Sequence, residues 1–276
     1  MGYKDSTDAR FLFKGQIVTD DAIDDSASIS NTQLAVTDST HIFVATNGSD
    51  TGTGSIVRPY ATLTKAFSVL TSARKTIFVM PGGYAEASTL TWPSIDGVRL
   101  SGMDSQGNVV ISAAGTSVIS ISPSGSIPEA FIENVCIEHT AQVGLQIDNA
   151  AMTRKIIVHL KGVSFSQVST GNSIDIDHSV TTQAIRLYAD ECREIEGAVN
   201  IVPYNNDDRF RFNNCELTGG ITLASHAVTA ELALINCMIL TSGISTGNAA
   251  TVLTNSGSYY RTDAGVYSEF TNAYST

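Results

Sequence analysis

The sequence predicts an all-β chain wound as a parallel β-helix, a solenoid of stacked short strands. Three observations predict it. First, short β runs recur, each ending in a small or polar residue: Asn134-Val135-Cys136, Gly162-Val163-Ser164, Asp190-Glu191-Cys192, Asn213-Asn214-Cys215, Ile235-Asn236-Cys237 and Thr254-Asn255-Ser256. The end residues are 28, 28, 23, 22 and 19 positions apart, the period of a coil with loops of variable length. Second, each run is followed by another short strand in which apolar residues alternate with polar ones: Leu145/Ile147, Ile174/Ile176, Val199/Ile201, Ile221/Leu223. That period of two gives one buried and one outward face. Third, only 16% of the residues are charged while 42% are hydrophobic, and Ser, Thr, Asn and Gly punctuate the chain throughout. Many short strands and turns with a weakly charged surface give this composition.

The elements follow in order. Residues 1–40 are rich in Asp, Ser and Thr and poor in apolar residues, too poor to bury a core of their own. They read as an N-terminal arm for anchoring or assembly, laid either on another chain or along this one. Residues 41–95 read as a front cap. Ile42 to Ala45 is a strand, and a Gly/Asp-rich loop follows (Asn47-Gly48-Ser49-Asp50-Thr51-Gly52-Thr53-Gly54-Ser55). Leu63, Ala66, Phe67 and Leu70 at i, i+3, i+4, i+7 then predict an amphipathic helix over 59–73, with Pro59 near its first turn. Thr76 to Met80 is a strand and Pro81 to Tyr84 a turn. Residues 96–258 carry the coils, and 259–276 form a tail whose aromatics Tyr259, Tyr260, Tyr267 and Phe270 cap the last coil or meet partner chains. A column of small residues is expected where the coils turn, Cys192, Cys215 and Cys237 stacking with Ser164 and Ser256 in the same place.

The strand, the Gly-Ser-Asp loop, Pro59 and the amphipathic helix together resemble the opening of pectin-lyase-like right-handed β-helix proteins. The resemblance covers about residues 41–84. It implies a right-handed parallel β-helix with a short N-terminal capping helix, an architecture that serves enzymes, surface proteins and phage tail or head-decoration proteins alike. Ile174-Asp175-Ile176-Asp177-His178 also resembles the tryptophan–isoleucine–aspartate–histidine strand of pectate lyases, whose aspartate binds calcium beside the cleaved sugar acid. Here Asp175 stands in place of the tryptophan. The family's arginine-x-proline-x-x-arginine segment is missing, because no arginine in this chain is followed two residues later by proline. The resemblance therefore implies calcium or sugar contact without the catalytic base.

Other classes fall away. A formal net charge of −11 with no Lys/Arg cluster argues against nucleic acid and anionic membrane. No apolar stretch is long enough to span a bilayer. Met1 to Gln16 lacks the apolar core of a secretion signal, so the chain is expected to be made in a host cytoplasm and to leave in a virus particle. The four cysteines form no CxxC pair, and the five histidines (His41, His139, His159, His178, His226) show no metal-ligand spacing, so no cofactor is expected apart from calcium.

Aligning the coils stacks Gln146, Asp175, Asn200, Thr222 and Ser245 in one outward column, and Asp148 with Asp177 in the next. Asp148, Asp175 and Asp177 are the candidate calcium or glycan contact, since clustered carboxylates suit Ca²⁺. The competing reading is a solvated acidic face neutralised by Lys155, Lys161 or Arg186. Together these features lead to the expectation of a phage virion protein, a fibre, tailspike or decoration component. It would be homotrimeric, held to other virion proteins by residues 1–40, and in contact with host-surface glycan. A polysaccharide lyase or hydrolase, or a bacterial surface adhesin, is the alternative.

Overall fold

The computed structural model describes residues 40–105, 107–122, 129–148, 155–177, 183–224, 230–240, 244–246, 252–256, 258–261 and 267–269. The expected arm up to Ser39, His178, His226 and Phe270 lie outside them.

The described chain opens with β1 (His41–Val44), α1 (Leu63–Ser68), β2 (Thr76–Val79), β3 (Gly82–Glu86) and β4 (Leu90–Thr91). The following coils each add a strand to the same sheets. They are β5 (Val98–Gly102), β6 (Val109–Ala113) and β7 (Ser117–Ile121), then β8 (Glu129–Glu133), β9 (Cys136–His139) and β10 (Val143–Asp148). Next come β11 (Ile156–Lys161), β12 (Ser164–Gln167) and β13 (Asn172–Asp177), followed by β14 (Ile185–Asp190) and β15 (Ala198–Val202). The rear coils hold β16 (Arg209–Asn213), β17 (Glu216–Leu217) and β18 (Ile221–Leu223), then β19 (Glu231–Ile235), β20 (Met238–Leu240) and β21 (Ile244–Thr246). The described chain ends with β22 (Val252–Ser256), β23 (Tyr259–Arg261) and β24 (Tyr267–Glu269).

These strands form a parallel β-helix. A nine-stranded sheet runs β1-β2-β5-β8-β11-β14-β16-β19-β22, and a seven-stranded sheet runs β21-β18-β15-β13-β10-β7-β4. The third face is built of two four-stranded pieces joined by bridges Phe165–Ile195–Leu217. The sequence revealed two strands per coil; the third face escaped it, its strands shrinking from five residues in β6 to two in β17. Inward residues of all three faces fill the core, including Leu145, Ile174, Val199 and Phe165, Phe210 and Phe212, each fully buried. Every strand pairing is parallel except β23–β24, which is antiparallel and ends the third face. Tyr259 and Tyr260 sit on β23 in register with Met238 and Ile239, so the solenoid runs into the segment expected to be tail.

The front cap is shorter than the periodicity predicts. The apolar face is as expected, with Leu63, Ala66, Phe67 and Leu70 buried, but α1 has six residues and starts after Pro59 rather than on it. Thr62 is its N-cap, accepting from Lys65 N at 3.1 Å. Two acids from distant strands and loops complete its first turn. Asp50, from the Gly/Asp-rich loop, accepts from Ala61 N and Thr62 N at 2.9 and 3.0 Å. Glu86, from β3, accepts from Leu63 N and Thr64 N at 2.8 and 3.1 Å. Phe67 packs edge-on against Trp92 with ring centroids 5.5 Å apart, which seats α1 on the first coils. Pro81-Gly82-Gly83-Tyr84 is mostly strand rather than turn, because β3 leaves the corner at once along the third face.

Candidate functional site

Where the nine-stranded sheet turns into the third face, five successive coils place a residue at the same level in a left-handed conformation. These are Asn134 (φ 54°), Gly162 (φ 59°), Glu191 (φ 56°), Asn214 (φ 53°) and Asn236 (φ 50°). Each backbone N–H donates to a carbonyl of the next coil, from Asn134 N→Lys161 O at 2.9 Å to Asn236 N→Ser256 O at 2.8 Å. Asn and Gly tolerate this conformation best, which explains their recurrence before the small residues. The residue after it is buried: Val135, Val163, Cys192, Cys215 and Cys237. The small-residue column therefore differs from the expected one. Cys136 and Ser164 pair with each other one position later, on the third face. Ser256 is in register with Ile235, one position before the level of Asn236, and not with Cys237. Ser258 takes the place beyond Cys237, its Oγ accepting from Cys237 N at 3.0 Å. All four cysteines are buried free thiols. Burial and the neighbouring sulfur push the Cys215 and Cys237 thiols far above their usual range, so neither is poised as a nucleophile.

The seven-stranded sheet holds the candidate acids in the expected register. Asp148 pairs with Asp177, and Gln146 with Asp175, Asn200, Thr222 and Ser245 in turn. Asp175 Oδ1 accepts from Asn200 Nδ2 at 2.6 Å and from Asn172 Nδ2 at 3.4 Å, so side-chain amides already serve it. Among the described residues no three His, Cys, Asp or Glu are grouped to hold a metal ion. Lys161 and Arg186 lie on the nine-stranded sheet rather than on the strands that carry this stripe. Two other titratable side chains are also spoken for. Asp208 is fully buried and accepts from Ile185 N, Tyr204 N and Asn205 N, pinning the loop before β16. His139, 1% exposed, lies between Gln142 O and Ser173 Oγ, each 3.2 Å away. A carbonyl only accepts, so Nδ1 carries the proton and Nε2 accepts from Ser173. Burial holds the His139 pKa below its ordinary value.

The outer surface of the nine-stranded sheet is different, and reading single strands did not find it. One outward column runs Arg99, Phe131, His159, Tyr188, Arg211, Ala233 in register. Arg99 lies over the Phe131 ring at 4.4 Å, and the Phe131 and His159 rings are parallel within 8° with centroids 4.7 Å apart. His159 and Tyr188 continue the stack at 5.5 Å. The rings therefore face one another along the solenoid and show solvent their edges. The next column runs Glu133, Lys161, Asp190, Asn213, with Glu133 ion-paired to Arg99 and Asp190 accepting from Asn213 Nδ2 at 2.9 Å. Beyond it lies a groove of about 590 Å³ along the left-handed turns, lined by Ser105, Asn134, Gly162, Glu191, Arg193 and Asn214. Aromatic edges, alternating charge and a polar groove thus run side by side over several coils. The sequence signal was present, since Phe131, His159 and Tyr188 recur at the coil period, but only the register places them in one column.

Three faces of parallel strands, inward apolar columns and a left-handed turn repeated over five coils define a parallel β-helix protein bearing an ordered outer stripe. The chain belongs to the family described as "Protein of unknown function (DUF1565)", whose model matches residues 46–201, more than half of its length. No curated protein matches it. Among solved structures it is similar to pectin methylesterase PemA from Erwinia chrysanthemi, at 16% identity over 73% of this chain and 66% of that one, with a TM-score of 0.42. It is also similar to a rhamnogalacturonan lyase, at 11% identity over 81% of this chain and 66% of that one, with a TM-score of 0.41. The chain thus spans just under two thirds of each of these proteins.

Proposed function

We propose that the protein is a structural β-helix of a phage particle, a fibre, spike or decoration component that touches host-surface glycan with its nine-stranded face. One observation carries this reading: the stacked column Arg99–Phe131–His159–Tyr188 beside the charged column Glu133–Lys161–Asp190–Asn213. A saccharide chain offers C–H patches and hydroxyls in alternation. Aromatic groups suit the former and planar charged groups the latter. The coils repeat at about 4.8 Å, which presents the same two chemistries many times along an extended chain. The carboxylates with described partners favour a structural over a catalytic reading: Glu133, Asp175, Asp208, Asp50 and Glu86 are each engaged by an arginine, an amide or backbone N–H groups. Residues 1–40 serve as the anchor to other virion proteins, and the chain assembles as a homotrimer.

The test is immunogold electron microscopy of phage particles with antibody to this chain, together with the purified chain as a competitor of particle adsorption. The expected result is label on particles and inhibition that weakens with Phe131→Ala. Unlabelled particles overturn the virion role, and labelled particles without inhibition overturn glycan contact. Release of reducing ends from the envelope polysaccharide would favour the lyase or hydrolase alternative.

A further inference from the structure

The aromatic stack ends abruptly, and its end is chemically distinctive. Arg99 covers the front of Phe131, and each following ring covers the next, up to Tyr188. Among the described residues nothing stacks on the far side of Tyr188. The in-register neighbour there is Arg211, which is exposed, and the one after is Ala233, which is small. The surface therefore steps down behind Tyr188.

The arginines around this step are not equivalent. Arg99 is paired with Glu133, and Arg209 Nε with Glu231 at 2.8 Å. Arg209 also donates to Asn206 O and Asp208 O at 2.8 and 2.9 Å. Arg186 stands directly beside Arg209 in register and two residues before Tyr188, and its Nε is buried without a hydrogen-bond partner among the described residues. Arg211 has no hydrogen bond or ion pair among the described residues. A donor left unpaired costs free energy, and with Arg209 neutralised by Glu231 the charges at this corner without a counter-ion among the described residues are Arg186 and Arg211, which an anion would pair. The chain carries 27 Asp and Glu against 16 Lys and Arg, yet puts Arg186, Arg209 and Arg211 on two adjacent strands of one face.

We infer that the step behind Tyr188 is a subsite for an anionic substituent of a saccharide, with Arg186 and Arg211 binding the anion and the Tyr188 ring supporting the sugar. Arg186 and Arg211 lie diagonally across the strand pair, about 8 Å apart at the backbone, so their forks reach one group between them. The inference rests on the glycan reading above and specifies the ligand class, carboxylated or sulfated rather than neutral sugar.

Affinity electrophoresis of the full chain tests it, with polysialic acid as carboxylate probe, dextran sulfate as sulfate probe and dextran as neutral probe. The expected result is stronger retardation by an acidic probe than by dextran. Arg186→Gln and, separately, the exposed Arg211→Gln should each weaken it by about tenfold while leaving retardation by dextran unchanged. The acidic probe that retards more strongly identifies the substituent. Equal retardation of wild type and both variants by every acidic probe overturns the subsite, and if Phe131→Ala still weakens dextran binding then the glycan reading survives that loss. No retardation by any of the three polymers overturns both.

Discussion

His139 shows how one buried side chain sets a pH dependence. Its ring is enclosed at the corner between the third face and the seven-stranded sheet, neutral, with Ser173 Oγ also accepting from Gly197 N at 2.8 Å. Burial lowers its folded-state pKa below the ordinary histidine value of about 6.5, so the unfolded chain binds more protons as the pH falls through that value. Its contribution is therefore fully present above about pH 6.5 and is lost progressively on acidification toward the folded-state pKa. Melting temperature should fall as the pH drops below about 6.5, and His139→Gln should flatten that part of the profile. An unchanged slope in the variant refutes the assignment.

At the scale of an element, the left-handed turn ladder makes its own demand. Asn214 is exposed at φ 53°, so its side chain contributes through backbone conformation rather than packing. Asn214→Gly should be nearly neutral. Asn214→Ala should cost about 1 kcal/mol, since a Cβ without a local hydrogen-bonding group disfavours this region, and should lower the melting temperature by roughly 2–4 °C. Equal melting of the two variants contradicts the ladder's role. Phe165, two coils earlier, makes the contrast: fully buried and bridged to Ile195, it is held by packing rather than by conformation.

At the scale of the whole molecule, a solenoid lets assembly and folding separate, because each coil contacts only its neighbours. The expectation is a trimer by light scattering. Deleting residues 1–40 should leave the far-ultraviolet β signature and cooperative melting intact but abolish incorporation into particles. Incorporation of the shortened chain refutes the anchoring role, and a monomeric full chain refutes the trimer. Loss of the β signature contradicts the independence of the coils from the arm.

The sequence by itself determined the solenoid, the inward columns and the register of the seven-stranded sheet. A period of two within strands and a coil-length period between them are both written in the order of residues, and burial enforces them. It also determined the apolar face of α1, though not its length, because Asp50 and Glu86 set the first turn from positions far along the chain. Only the tertiary structure decided which outward residues share a column on the nine-stranded sheet. Phe131, His159 and Tyr188 are separated by 28 and 29 residues, with loops of unequal length on the other faces between them. The stack they form, and the place of Arg186 at its end, depend on strand pairing across coils, a register that loop lengths hide from any local reading.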